Sequence, residues 1–270
     1  MRRRTFIKSS ICASGFTLAT PFIANASVFD NNQIVSTDPN SIRRGDFGKV
    51  YITWGGEMRG NIQPYAYSII KDPTGSAPTK NVERFELRYR DYWENEGWAQ
   101  KHRIQVQGGK VEYNSEQIYE WNFFIEEDFL QGLADGCHIG PDIFDFSGNH
   151  GYSNPMMFYI HGYRRSVFRF STIWFNGRKR EIHTLVDYDE CVNKWVNVKW
   201  QVKWNESGFH RIWVNDDMKI NYNGFTLRDC PPMDFPYGLY RGQVDEWERA
   251  NGRREQPKKI LYSGFASRTL

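Results

Sequence analysis

Cysteine, net charge and long apolar runs are all scarce in this sequence, and each scarcity closes off a class of protein. Four cysteines in 270 residues include no Cys-x-x-Cys spacing, which argues against a zinc site or a disulfide framework. The longest apolar stretch, Ile11 to Ile23, is interrupted by Ser14, Gly15, Thr17 and Thr20. It falls short of the roughly 20 residues that a bilayer-spanning helix requires. Helical periodicity is rare, and neither an internal repeat nor a long low-complexity linker breaks the chain.

That apolar stretch follows Arg2, Arg3, Arg4, Thr5, Phe6, Ile7 and Lys8, and ends at Ala24-Asn25-Ala26. A basic start, a short apolar run and small residues at the end make a removable export signal. The arginine pair followed by Phe6, Ile7 and Lys8 resembles the twin-arginine consensus. The expectation is cleavage before Ser27 and a periplasmic or secreted protein with no membrane anchor thereafter. Loss of residues 1–26 takes four of the 35 basic residues and no acid, leaving 31 basic against 32 acidic residues. So balanced a chain is not expected to bind nucleic acid or membrane surfaces through bulk charge. Cys12 leaves as well, so Cys137, Cys191 and Cys230 are expected as three buried thiols, with a Cys191–Cys230 bridge as the alternative.

What the sequence has in abundance is aromatic side chains, 16% of the chain with ten Trp, and period-two alternation. Val196, Val198, Trp200, Val202 and Trp204 alternate with polar Asn197, Lys199, Gln201 and Lys203, the pattern of a strand with one buried face. Phe85, Leu87 and Tyr89 alternate with Arg84, Glu86 and Arg88, and Ile104 and Val106 with Arg103, Gln105 and Gln107. Further strands are expected at 119–125, 143–146, 156–161, 166–172, 210–215, 235–240 and 260–265, with short helical turns at 127–133 and 244–251. Such a run of strands predicts an all-β fold, an antiparallel β-sandwich of the jelly-roll, concanavalin A-like kind. Its expected organisation is an export signal over 1–26, an N-terminal extension over 27–47 and one jelly-roll domain over 48–270.

Several motifs stand in an informative order. Arg84-Phe85-Glu86-Leu87-Arg88, Asp91-Tyr92-Trp93, His102-Arg103-Ile104-Gln105, Tyr119-Glu120-Trp121 and Glu126-Glu127-Asp128-Phe129 resemble the front half of polysaccharide lyases of the heparin lyase I and glucuronan lyase type. The strand 195–204, the hairpin through Gly208-Phe209-His210-Arg211-Ile212-Trp213-Val214-Asn215, and Tyr237-Gly238-Leu239-Tyr240-Arg241 resemble the back half. The resemblance implies a jelly roll that cleaves a uronic-acid polysaccharide by β-elimination. That chemistry requires a cation or donor on the uronate carboxylate, a base for the C5 proton and an acid for the leaving oxygen.

By that resemblance Tyr240 corresponds to the catalytic tyrosine and Arg103 to the arginine of an Arg-x-Glu strand, with Gln105 where the family carries glutamate. Arg84, Arg88 and Arg241 are candidate carboxylate contacts, and Asn122 a donor to sugar. The family's lysine falls at Pro236, and its Gln-x-His strand is expected near Asp145-Phe146-Ser147, which makes Asp145 and His150 catalytic candidates. His161 is expected in the groove beside Tyr159, His102 is expected to be packed, and His138 is placed in a loop. Lys199, Gln201 and Lys203 form a polar stripe that is either a sugar subsite or a solvated face. No cofactor is expected, and scattered acids carry no calcium-loop signature. The expected partner is an acidic polysaccharide, handled by a monomer. A noncatalytic sugar-binding sandwich is the alternative; a glycoside hydrolase lacks the needed pair of strand carboxylates.

Overall fold

The computed structural model describes residues 43–44, 51–54, 57–58, 64–88, 102–130, 136–143, 156–161, 169–175, 180–241, 248–249, 252, 254 and 256–270. All of them belong to the compact unit Asn32–Leu270. In chain order the strands are β1 (Arg43–Arg44), β2 (Tyr51–Trp54), β3 (Glu57–Met58), β4 (Tyr67–Lys71), β5 (Asn81–Leu87), β6 (His102–Val111), β7 (Glu116–Phe124) and β8 (Gly136–Ile143). They continue with β9 (Met156–His161), β10 (Arg169–Phe175), β11 (Arg180–Asp187), β12 (Val196–Lys203), β13 (Gly208–Val214), β14 (Asp217–Gly224), β15 (Met233–Arg241) and β16 (Lys258–Thr269). A 3-10 turn covers Glu127–Leu130, and one short helix, α1 (Tyr188–Cys191), follows β11.

Among the described residues the strands form two sheets. The back sheet runs β14-β13-β12-β7-β16-β5-β4, with β1 added beside β16; the front sheet runs β11-β10-β9-β8-β15-β6-β2-β3. β15 lies between β6 and β8, and β16 between β7 and β5, although each is far from those neighbours in sequence. These long crossings are what make the sandwich a jelly roll rather than a meander.

The alternation that predicts β12 is realised: Val196, Val198, Trp200 and Val202 are buried while Asn197, Gln201 and Lys203 stay half-exposed. Inner faces meet through rings from both sheets. Tyr237 of β15 stacks on Phe265 of β16 at 3.9 Å between centroids, Phe235 stacks on Tyr119 at 4.3 Å, and Phe158 of β9 meets Trp121 of β7 edge-on at 5.1 Å. Burial of one such side chain contributes about 1.5–3 kcal/mol, so these rings fix the distance and register between sheets.

Of the strand expected at 143–146, only Ile143 lies within the described residues, at the end of β8. The strand in that region is β8 over Gly136–Ile143, and its pairing with β9 shifts between His138 and Asp142. Gly136, Gly140 and Pro141 blur the alternation there. At Gly140 a Cβ would stand 2.7 Å from the Phe158 Cβ, so close packing on β9 requires glycine. The expected turn after Glu126 is the 3-10 turn; most of the expected helix over 244–251 lies outside the described residues. β1, β2, β3, β4, β11 and β14 are additional strands that alternation did not announce. No disulfide joins the three described cysteines, with Cys137 and Cys191 buried as expected and Cys230 only half-buried.

Candidate active site on the front sheet

Tyr240 owes its position to its neighbours on β15. Tyr237 and Leu239 are fully buried against the back sheet, so strand alternation turns Gly238 and Tyr240 to the outer face of the front sheet. Tyr240 is half-buried there. Register sets Arg103 of β6 directly across from it on one side and His138 of β8 directly across on the other. Residues directly opposite in an antiparallel pair share a face, so all three positions form one row. The Arg103 guanidinium carbon lies 5.3 Å from the centre of the Tyr240 ring. The row continues through Tyr159 of β9, opposite His138, to Ser171 of β10.

Beside this row, Gln105 lies across from Gly238 and is 1% exposed. Gly238 has φ near +140°, and a Cβ there would stand 2.5 Å from the Ile104 carbonyl oxygen. Only glycine fits that backbone, because a side chain there would also press on Gln105 Cα at 2.9 Å and on the core ring of Phe85 at 3.0 Å.

The strand carrying Tyr240 is braced from behind. The Tyr262 hydroxyl of β16 lies between the carbonyl of Gly238, at 3.1 Å, and that of Ile139 on β8, so its single proton is shared between two adjacent strands of the row. Burial, then Cys137 and Glu83, hold its pKa well above the usual phenol range, so it remains a donor. The Tyr237 hydroxyl donates to buried Glu83 at 2.7 Å, and Tyr67 donates to the other carboxylate oxygen at 2.8 Å. Two donors on one buried carboxylate offset much of its desolvation.

The other expected contacts are distributed differently. Arg241 has the parity of Tyr237, points inward and is fully buried. Its guanidinium donates to His102 Nδ1 at 2.9–3.1 Å, to the Arg88 carbonyl at 3.0 Å and to the Gln256 carbonyl at 2.9 Å. It is a strand-end clamp, not a groove residue. His102 is packed as expected; burial, then Arg241, push its pKa down to about 3, which keeps Nδ1 an acceptor.

Arg84, Arg88 and Asn122 belong to the far side of the sandwich. Glu83 and Phe85 face inward to Tyr237, so Arg84 and Glu86 take the outer face of the back sheet. There Arg84 is buried, 3.4 Å from Glu86 and donating to the Tyr65 carbonyl at 3.2 Å, while Arg88 donates to Glu86 at 2.5 Å and stacks on Tyr65. Asn122 donates to the Ser263 carbonyl at 3.2 Å and accepts from Asn197 at 3.2 Å. The parity of each strand had been legible, but which sheet owned it had not.

Asp145 and His150 lie outside the described residues. His161 pairs with Gly136 and Arg169, two positions along β9 from Tyr159, in keeping with the expected neighbourhood. The histidine that register does bring to Tyr240 is His138, which the sequence reading left in a loop. The signal for it was the alternation of buried Cys137 and Ile139 about His138. The Gln-x-His strand was sought some eight residues later, near Asp145-Phe146-Ser147, which lies outside the described residues.

The row therefore combines a phenol, a guanidinium beside it and a histidine position on a sheet face of jelly-roll topology. A model of a family described as polysaccharide lyase matches residues 44–265. The chain belongs to this polysaccharide lyase family. The match spans both sheets and includes every strand of the row. Among solved structures, this polysaccharide lyase resembles an endo-β-1,4-glucuronan lyase from Trichoderma reesei, at 14% identity and a TM-score of 0.55 over 82% of this chain and 94% of that one. It is also similar to an alginate lyase in complex with dimannuronate, at 10% identity and a TM-score of 0.56 over 88% and 98% of the two chains. A marine alginate lyase from Zobellia galactanivorans aligns at 10% identity and a TM-score of 0.54, over 83% and 96%. At these identities the likeness is one of fold. No curated protein sequence matches the chain.

Proposed function

We propose that this polysaccharide lyase cleaves a uronic-acid polysaccharide by β-elimination across the Arg103–Tyr240–His138 row. The observation that carries the reading is the register of Tyr240 between Arg103 and His138, with the Arg103 guanidinium beside its ring. In the reaction Arg103 neutralises the uronate carboxylate, which acidifies the C5 hydrogen. A base takes that proton, its bonding electrons form the C4–C5 double bond, and the C4–oxygen bond breaks. Tyr240 protonates the departing oxygen, and His138 serves as the base. Gln105, beside Arg103 on β6, is assigned to the neighbouring sugar, and no cofactor enters the scheme.

The three solved relatives are a glucuronan lyase and two alginate lyases, one of them with dimannuronate bound, which favours a polyuronate over heparin. The reading takes residues 1–26 as a twin-arginine signal and 48–270 as the catalytic domain of a periplasmic or secreted monomer.

A noncatalytic sugar-binding role is the second reading, favoured by Pro236 and Asp145-Phe146-Ser147 standing where, by the resemblance, lyases of this type carry a lysine and a Gln-x-His strand. One experiment separates the two. The mature protein is incubated with glucuronan, alginate, heparin and pectate, and the ultraviolet absorbance of the unsaturated product is followed. Rising absorbance with a polyuronate supports the lyase. Retention of a polyuronate without absorbance supports the binding module.

A further inference from the structure

The outer face of the back sheet carries a second set of side chains that neither the core nor the row of Tyr240 uses. His210, Ile212 and Val214 of β13 are buried between the sheets, as are Val198, Trp200 and Val202 of β12. Phe209, Arg211 and Trp213 therefore point out, beside Lys199, Gln201 and Lys203. Register pairs Lys199 with Trp213, Gln201 with Arg211 and Lys203 with Phe209. Cations and rings thus alternate across two adjacent strands. Lys199 Nζ lies 5.4 Å from the Trp213 ring centre, and the Arg211 guanidinium carbon 4.2 Å from that of Phe209.

A face built only for solubility would pair its lysines with the glutamates across from them. Glu120 and Glu116 of β7 do stand opposite Lys199 and Lys203. Yet Glu120 accepts from the Asn197 amide at 3.3 Å and Glu116 from the Gln201 amide at 2.7 Å. Among the described residues the ion pairs found are Arg84–Glu86, Arg88–Glu86, His183–Glu181 and Lys219–Asp217, none of which involves Lys199, Lys203 or Arg211. Amides hold the carboxylates, and the cations are left over half-exposed rings.

We propose that this face is a second, noncatalytic binding surface for an acidic polysaccharide. Half-exposed rings offer flat apolar platforms for sugar faces, and the three cations offer partners for carboxylates spaced along the chain. Alternate strand residues are about 6.8 Å apart, so Phe209 to Trp213 spans about 13 Å, enough for a short stretch of polymer. The sheets stack about 10 Å apart, so a chain on this face does not reach Tyr240. Its effect is to hold polymer near the protein and raise the local concentration of cleavable bonds. The ligand class rests on the polyuronate reading above; the existence of the surface does not.

The test is electrophoresis of the full protein through native gels containing alginate, glucuronan or neutral hydroxyethylcellulose. Trp213→Ala and the pair Lys199→Gln with Arg211→Gln are compared with wild type, and Tyr240→Phe serves as a groove control. All the altered back-face side chains point away from the core, and circular dichroism checks that each variant folds. We expect at least a fivefold loss of polyuronate retention in the back-face variants, with Tyr240→Phe retained like wild type. Turnover of a short uronate oligosaccharide should be unchanged in the back-face variants. Retention indifferent to Trp213, Lys199 and Arg211, absence of polyuronate retention in wild type, or equal retention by the neutral polymer overturns the proposal. If retention follows the back-face residues while no unsaturated product forms, the lyase reading fails and the surface stands.

Discussion

The hydroxyl of Tyr262 donates to the carbonyl of Gly238 at 3.1 Å, so a back-sheet side chain holds the backbone two residues before Tyr240. The same hydroxyl also approaches the carbonyl of Ile139, one residue past His138, so its single proton serves both contacts. Tyr262→Phe removes both and leaves two buried carbonyls short of a donor. The expected loss is about 1–3 kcal/mol, read as a lower urea midpoint with an unchanged slope. An unaltered midpoint would show that the bridge adds nothing to stability.

Tyr240 is tested directly. Tyr240→Phe keeps the ring beside Arg103 and removes the transferable proton, so kcat should fall by about 100-fold or more with no change in circular dichroism. Wild-type turnover in this variant would sink its assignment as the acid.

For the histidine, His138→Gln should lower kcat by a comparable factor of about 100, because its position pairs with Tyr240. Arg103→Lys retains charge but loses the planar fork, and should raise KM and lower kcat together. Steady-state kinetics on the best polyuronate from the substrate panel distinguish these patterns.

Acid should weaken the fold through two core histidines. Burial, then Arg241, push His102 down to about 3, and burial, then His183, push His210 down to about 3, from an ordinary 6.5. Between those values the unfolded chain binds protons that the folded chain refuses. Stability is therefore complete above pH 6.5 and falls as pH drops toward about 3. Each histidine contributes a slope approaching about 1.4 kcal/mol per pH unit. Urea midpoints at a series of pH values should fall below pH 6.5, and His210→Phe should flatten that fall despite leaving the Trp200 indole, 3.2 Å from His210 Nδ1, without its acceptor. A midpoint that does not move with acid would contradict this.

Gly238→Ala places a methyl 2.5 Å from the Ile104 carbonyl on a backbone with φ near +140°. The variant should lose more than about 1 kcal/mol and most activity, since β15 must shift beside Tyr240. Thermal unfolding and turnover measured together check both.

The legibility of this protein follows the range of the interactions. Alternation along single strands was readable because buried and exposed faces differ in polarity: β12 and β9 fall where expected, and Tyr237 and Leu239 turn inward so that Tyr240 turns out. β8 was not anticipated because Gly136, Gly140 and Pro141 dilute that contrast and its register is irregular. Hence His138 was passed over in favour of a histidine farther along the chain.

By itself the sequence determined the all-β class, which side chains of most strands face the core, and the family through motifs spread over both halves. The tertiary structure decided which strand lies beside which. Parity is a local property, fixed by polarity at every second residue. Neighbourhood in a jelly roll depends on pairings between distant segments, such as β15 with β6 and β8. That is why Arg84, Arg88 and Asn122, with the outward parity expected of them, stand behind the sandwich, and Arg103 and His138 stand on either side of Tyr240.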